Sequence, residues 1–242
     1  LSVFRSFLAG MSICILESEF DEGYEEEEED GESPAGRLRN ELEEYVFGEL
    51  EEIKRKIDPV EYNEILASYV DIYNHLFNNL IGALCDTYCH DENDEFFWSS
   101  DDDDNTDFIY YLGRLKIIDN CTGNLYKKYP NIDYIVGIYS NIQFDLYIHT
   151  HRPELDVSSF HAEKEKMILD LYKKHKNNEY VAEDYGGYLR DISESGKIPA
   201  SMQRMNKTKL KRLAKQFPEN DEIKRENASL TEYLEEKERK QS

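Results

Sequence analysis

The chain has 242 residues and a formal net charge of −23. That charge is concentrated: residues 1–107 carry 31 Asp and Glu against 6 Lys and Arg, whereas residues 108–242 carry 21 against 23. A net of −25 in one half argues against generic binding to nucleic acid or anionic membrane, and no apolar run reaches the ~18 residues of a membrane span.

Hydrophobic residues make up 39 % of the chain, below the ~45–50 % of ordinary globular domains. The deficit lies in the acidic stretches. Elsewhere core formers are plentiful, including 18 Tyr and 11 Phe, so a packed core with disordered appendages is expected. The four cysteines, Cys14, Cys85, Cys89 and Cys121, are too sparse for a secreted disulfide framework, and reduced thiols in a cytoplasmic or nuclear compartment are the default. A composition rich in Lys, Asn, Ile and Tyr suggests an AT-rich genome of viral or bacterial origin, with the host cytoplasm as the viral equivalent.

The first sixteen residues, LSVFRSFLAGMSICIL, are apolar with one Arg. Ser6, Gly10 and Ser12 break the run and no small-residue cleavage site follows, so a buried terminal strand or a non-native leader is expected. Residues 17–34 contain Glu25–Asp30, an unbroken acidic run, then Gly31, Ser33 and Pro34. They should be disordered.

Leu38, Leu42, Tyr45, Val46, Leu50 and Ile53 recur at three- and four-residue spacing and predict a helix. Asp58-Pro59-Val60-Glu61 predicts the start of a second, with Asp58 as cap, Pro59 in the first helical position and Glu61 closing a capping box. That helix should run to about Tyr88 and form a helical hairpin with its predecessor. Residues 90–107 read as an acidic loop around Phe96-Phe97-Trp98, and a short helix is expected over 107–118. Residues 121–131 read as a loop.

The period then changes. Residues 132–139 and 142–151 read as two strands turning at Ser140-Asn141. In the second, Ile142, Phe144, Leu146 and Ile148 alternate with Gln143, Asp145, Tyr147 and His149. Helices are expected over about 158–177, over 180–192 with an interruption at Gly186-Gly187, over 207–217, and over 219–240. The expected fold class is α+β, mostly helical: a helical hairpin plus a small antiparallel β-hairpin, an acidic disordered N-terminal region and charged C-terminal helices. The expected domains are a leader and acidic tail at 1–34, a globular domain at 35–192 and a basic, then mixed-charge helical arm at 193–242.

Four groups of residues could carry function. A dense carboxylate array can occupy a basic groove on a partner. Glu41, Glu44, Glu51 and Glu52 on the first helix, and Asp101, Asp102, Asp103 and Asp104 in the loop, supply such an array, with Phe96, Phe97 and Trp98 as apolar anchors. Lys207, Lys209, Lys211, Arg212 and Lys215 form a basic patch within 197–215, a stretch without a carboxylate. It suits nucleic acid, an acidic partner or the chain's own acidic half. Asp145, His149 and His151 share one face of the second expected strand and are acceptable ligands for Zn or another divalent metal. Cys85 and Cys89-His90 sit at a helix end with i, i+4 spacing, which could form a metal or redox site, although small buried residues are the ordinary explanation.

His149-Thr150-His151 also resembles a fragment of the JAMM/MPN metalloprotease motif. In that pattern Ser and Asp follow the second His by eight and eleven residues. Ser159 falls on the serine position, but Ala162 stands where the zinc-binding Asp belongs, Glu163 is one residue late and Arg152 precedes the usual Pro. The resemblance spans residues 149–162 and implies a zinc hydrolase. No upstream residue can be placed as the catalytic Glu, and the chain is not read as a member.

There is no Walker A loop, no G-x-G-x-x-G and no G-x-S-x-G elbow. The leading expectation is therefore an acidic, non-enzymatic binding or regulatory protein without cofactor, engaging a basic protein of the kind that can itself bind nucleic acid. Direct nucleic-acid contact is expected only through the 197–215 patch, and no membrane contact is expected. The alternatives are a metal-dependent hydrolase built on the Asp145, His149 and His151 cluster, and a structural subunit of an assembly.

Overall fold

The structure, a computed structural model, describes Arg37, Glu41, Glu44, Gly48 and residues 51–86, 102–150 and 158–241, with backbone alone at 86, 102–107 and 241. The tail at 17–34, the Phe96, Phe97, Trp98 and Asp101 positions, Cys89, His90 and His151 lie outside the described residues. Seven helices with defined bounds occur among the described residues: α1 Pro59–Asp86, α2 Asp102–Lys128, α3 Asp133–His149, α4 Ser158–His175, α5 Glu179–Glu194, α6 Ala200–Gln216 and α7 Asp221–Gln241. The chain divides into two compact units, residues 1–135 and 136–242.

In the first unit, Arg37, Glu41, Glu44, Gly48 and residues 51–54 are helical, at the positions where the periodicity predicts a helix. The start of α1 follows from local chemistry. The Asp58 carboxylate accepts the Val60 N–H at 2.8 Å, and Pro59 occupies the first turn, where its missing N–H costs nothing. Tyr62, Ile65, Leu66, Tyr69, Val70, Tyr73, Phe77, Ile81 and Leu84 then form one buried stripe at three- and four-residue spacing. It packs against α2, which offers Phe108, Leu112, Leu115, Ile118, Cys121 and Leu125.

The helix expected over 107–118 is longer at both ends. It takes in Asp102–Asp107 from the expected acidic loop and 121–128 from the expected loop beyond. Gly123 does not stop it, because Cys121, Thr122 and Leu125 continue the buried stripe and the Thr122 hydroxyl bonds back to the Ile118 carbonyl at 2.9 Å. The helix ends just before Pro130.

The expected β-hairpin is wrong. Residues 133–149 form the single helix α3, and no strand occurs among the described residues. Alternation predicted Gln143 and Tyr147 to face outward, yet both are buried. The buried set is Ile135, Val136, Tyr139, Ser140, Ile142, Gln143, Leu146, Tyr147 and Thr150, a helical pattern. Ile, Val and Tyr favour strands on average, but packing overrides that preference. Ser140-Asn141, expected as a turn, lies within the helix.

In the second unit, α5 packs against α4, α6 and α7, and α6 packs against α7. Tyr147, Ile168, Ala182, Tyr185, Tyr188, Leu189, Leu210, Leu213, Ile223, Leu230 and Leu234 form one core. Residues 193–242, expected as an arm, thus supply α6 and α7 to that core. Asparagine caps set two of the starts. Asn178 Oδ1 accepts the Val181 N–H at 3.1 Å, and Asn220 Oδ1 accepts the Ile223 N–H at 2.8 Å. The Asn220 amide also donates to Glu179 and Glu183, tying the start of α7 to α5. After α5 the chain turns at Gly196, whose φ of +72° suits glycine. Pro199, just before α6, starts it earlier than the 207 expected.

Gly186 and Gly187 do not interrupt α5. They are where neighbouring side chains come closest to its backbone. A Cβ on Gly187 would lie 2.6 Å from Phe144 Cζ, and one on Gly186 would lie 3.3 Å from a Leu210 methyl.

Candidate functional site

Four of the acidic candidates have described side chains, and all four are exposed. Glu41, Glu44, Glu51 and Glu52 are helical and solvent-facing. Glu51 lies 3.9 Å from Lys54 and Glu52 3.7 Å from Lys56. Exposed pairs of this length hold their charges weakly, so the carboxylates remain available to a partner. The backbone of Asp102, Asp103 and Asp104 lies in the first turn of α2. A cavity of about 480 Å³ opens between Pro59, Tyr62, Lys128 and Tyr129, with Lys54 at its edge. Lys54 and Lys128 each sit over a tyrosine ring, Tyr62 at 5.4 Å and Tyr129 at 6.0 Å, so both ammonium groups already have electrostatic contacts inside the site.

The proposed metal ligands are reordered. Asp145 and His149 stand one turn apart on α3 rather than on a strand, so the i, i+4 relation keeps them on one face. Among the described residues no group of three His, Cys, Asp or Glu is placed to hold a metal ion. Burial holds the His149 ring below its usual range and therefore neutral at pH 7. Cys85 is half-buried and Cys121 is fully buried against the core.

The structure brings together a pair that the sequence did not single out. Asp145 on α3 is half-buried and Asp184 on α5 is buried, and the Asp145 charge adds to the raising of Asp184. Burial drives Asp184 well above the normal carboxylate range, against the opposing pull of nearby Ser140 and Asn141. Neither the Ser140 hydroxyl nor Asp184 Oδ2 makes a well-formed hydrogen bond. Burial also pushes Asp145 up to about 6. Burying these two carboxyls stores an electrostatic cost in the folded state.

The sign of that cost follows from proton binding. Between the ordinary value of 3.8 and about 6, folded Asp145 binds more protons than unfolded Asp145. Stability therefore falls as pH rises through that window and stays lower above it. At ~1.4 kcal/mol per pH unit the upper bound is about 3 kcal/mol. Asp145→Asn removes the charge but must still bury an amide, so a gain of roughly 1–2 kcal/mol is expected at pH 7.5, with little gain at pH 4. Urea unfolding at the two pH values measures it, and an equal gain at both would refute the assignment.

Next to this pair lies a tyrosine cluster. Tyr172 stacks on Tyr185 at 3.9 Å, Tyr147 meets Tyr188 edge-on at 5.4 Å, and Tyr147 stacks on His161 at 4.3 Å. The Tyr188 hydroxyl donates to Glu165 at 2.6 Å. Burial raises Tyr185 to about 12 and Tyr147 and Tyr188 higher still, so all three are neutral packing groups rather than proton donors near pH 7.

The basic candidates sit on α6. Gln203, Asn206, Leu210 and Leu213 are its buried face. Arg204, Lys211, Arg212 and Lys215 are exposed, while Lys207 and Lys209 lie at the two edges, half-buried. No helix among the described residues is long and apolar enough to cross a membrane. No family model, no curated protein and no solved structure matches the chain.

Proposed function

We propose that the chain is an acidic, non-enzymatic binding protein that engages a basic polypeptide partner through its N-terminal half. The observation that carries this reading is the net charge of −25 on residues 1–107, together with the exposure of every carboxylate of Glu41, Glu44, Glu51 and Glu52. Such a surface speeds encounter with a cationic partner and makes the complex salt-sensitive. Charge on a helix presents fixed carboxylates at a lower entropic cost than charge on a floppy segment.

Affinity capture from source-cell extract at low and high salt, with mass-spectrometric identification, should retain a basic protein at low salt and release it at high salt. The Glu41, Glu44, Glu51 and Glu52→Gln variant should bind the identified partner about tenfold more weakly at low salt, with a shallower salt dependence. Unchanged affinity and salt slope in that variant would overturn the reading.

A further inference from the structure

Cations on most helices of the second unit have carboxylate partners. Lys173 pairs with Asp170 on α4, Arg190 of α5 with Glu226, and Lys224, Arg225 and Lys240 with carboxylates one turn away on α7. Helix α6 differs. It has six cations, Arg204, Lys207, Lys209, Lys211, Arg212 and Lys215, and no Asp or Glu. None of the six takes part in an ion pair among the described residues. Carboxylates are abundant in a chain of net charge −23, so a row of cations with no ion pair among the described residues calls for a partner.

The arrangement is ordered along the helix. Arg204, Thr208, Lys211 and Lys215 follow one another at spacings of four, three and four, giving one row down the solvent face. From Arg204 to Lys215 that row is about 16 Å long at ~1.5 Å per residue. Met202, Met205, Lys209 and Arg212 follow at spacings of three, four and three on the flank of that face, and Met202 and Met205 are 43 % and 47 % exposed, two of the few large apolar side chains at the surface. Phosphate recognition needs only the cations. Exposed methionines beside them offer adaptable apolar contact and sulfur–aromatic packing, which suits a polypeptide. A chain of net charge −23 also repels a polyanion as long and dense as nucleic acid more than it repels a short peptide.

We propose that the solvent face of α6 is a docking surface for an acidic polypeptide segment that carries aromatic residues. Carboxylates of the segment lie along Arg204, Lys211 and Lys215, and its aromatic side chains pack on Met202 and Met205. This surface is separate from the acidic one proposed above, and its test is independent of that reading.

The test uses the full chain and a fluorescent peptide with the sequence of residues 90–107, which has nine carboxylates around three consecutive aromatics. Fluorescence anisotropy at low salt should show saturable binding that weakens as salt rises. The Lys211, Arg212 and Lys215→Gln variant alters only exposed positions, so it should keep the wild-type circular dichroism and lose about tenfold or more in affinity. Met202→Ala with Met205→Ala should cost about threefold, and a peptide with Phe96, Phe97 and Trp98 replaced by Ser should lose the same amount without responding to the methionine variant. Absence of peptide binding, binding unaffected by the lysine and arginine variant, or tighter binding of a 20-base-pair DNA duplex than of the peptide would each overturn the proposal.

Discussion

Arg190→Ala is expected to cost about 3 kcal/mol at pH 7, measured by urea unfolding. Arg190 Nη1 lies 3.0 Å from Glu226 Oε2, and Glu226 is 7 % exposed. The contact is close but poorly aligned, since neither Arg190 Nε nor Glu226 Oε2 makes a well-formed hydrogen bond. Burial already raises the Glu226 carboxyl above its ordinary value, opposed by Arg190 and Arg225 and reinforced by Glu222 and Glu194. Removing Arg190 strands a buried carboxylate among like charges. Breaking such a pair typically costs ~3–5 kcal/mol, and the low end applies because Arg190 keeps partial contact with solvent.

Two controls separate this from lost packing. In Arg190→Ala the Glu226 carboxyl takes up a proton more readily, so its folded value rises further above the unfolded one. The cost is then large above that raised value and shrinks as pH falls toward 4, where Glu226 is neutral in both states. Adding Glu226→Gln should recover more than half of the loss at pH 7 and almost nothing at pH 4. A cost that is the same at both pH values would assign the effect to the buried arginine stem instead.

Legibility in the sequence tracked how local the deciding interaction is. The start of α1 was readable because Asp58 and Pro59 act within one turn. The body of α1 was readable because its buried stripe is made of apolar residues alone. Helix α3 was misread because its buried stripe contains Ser140, Gln143 and Thr150. Those polar residues disguised the helical period, while Ile142, Phe144, Leu146 and Ile148 happened to alternate. The signal that would have found it is the apolar series Ile135, Tyr139, Ile142, Leu146, with spacings of four, three and four.

The candidate sites divide in the same way. The exposed face of α6 follows from local helical spacing, so its cations could be read as a group. Asp145 drew attention for its relation to His149, which survives the change from strand to helix. Asp184 did not, because Glu183-Asp184 reads as two ordinary surface charges. Only the approach of α5 to α3 turns one of them into a buried carboxyl, and that approach depends on glycines whose spacing carries no charge signal.

Gly137 is the most sensitive of these. A Cβ there would lie 2.8 Å from both Cβ and Cδ2 of Tyr180 and 2.9 Å from its Cγ. Tyr180 is 52 % exposed and its ring can swing away, but its Cβ is fixed to the α5 backbone. The helices must therefore separate locally, and Gly137→Ala should cost about 2–3 kcal/mol despite the better helix propensity of Ala. Gly82 in α1 is the opposite case, since nothing lies within 4 Å of its would-be Cβ. Gly82→Ala should stabilise by about 0.5–1 kcal/mol. The background at Tyr180 decides the cause. In Tyr180→Ala the offending Cβ remains, so the cost of Gly137→Ala should persist. In Tyr180→Gly it is gone, and the same substitution should become neutral or favourable. Urea unfolding of the three single and two double variants reads this directly; relief already in the Tyr180→Ala background would place the clash in the ring and not in the helix spacing.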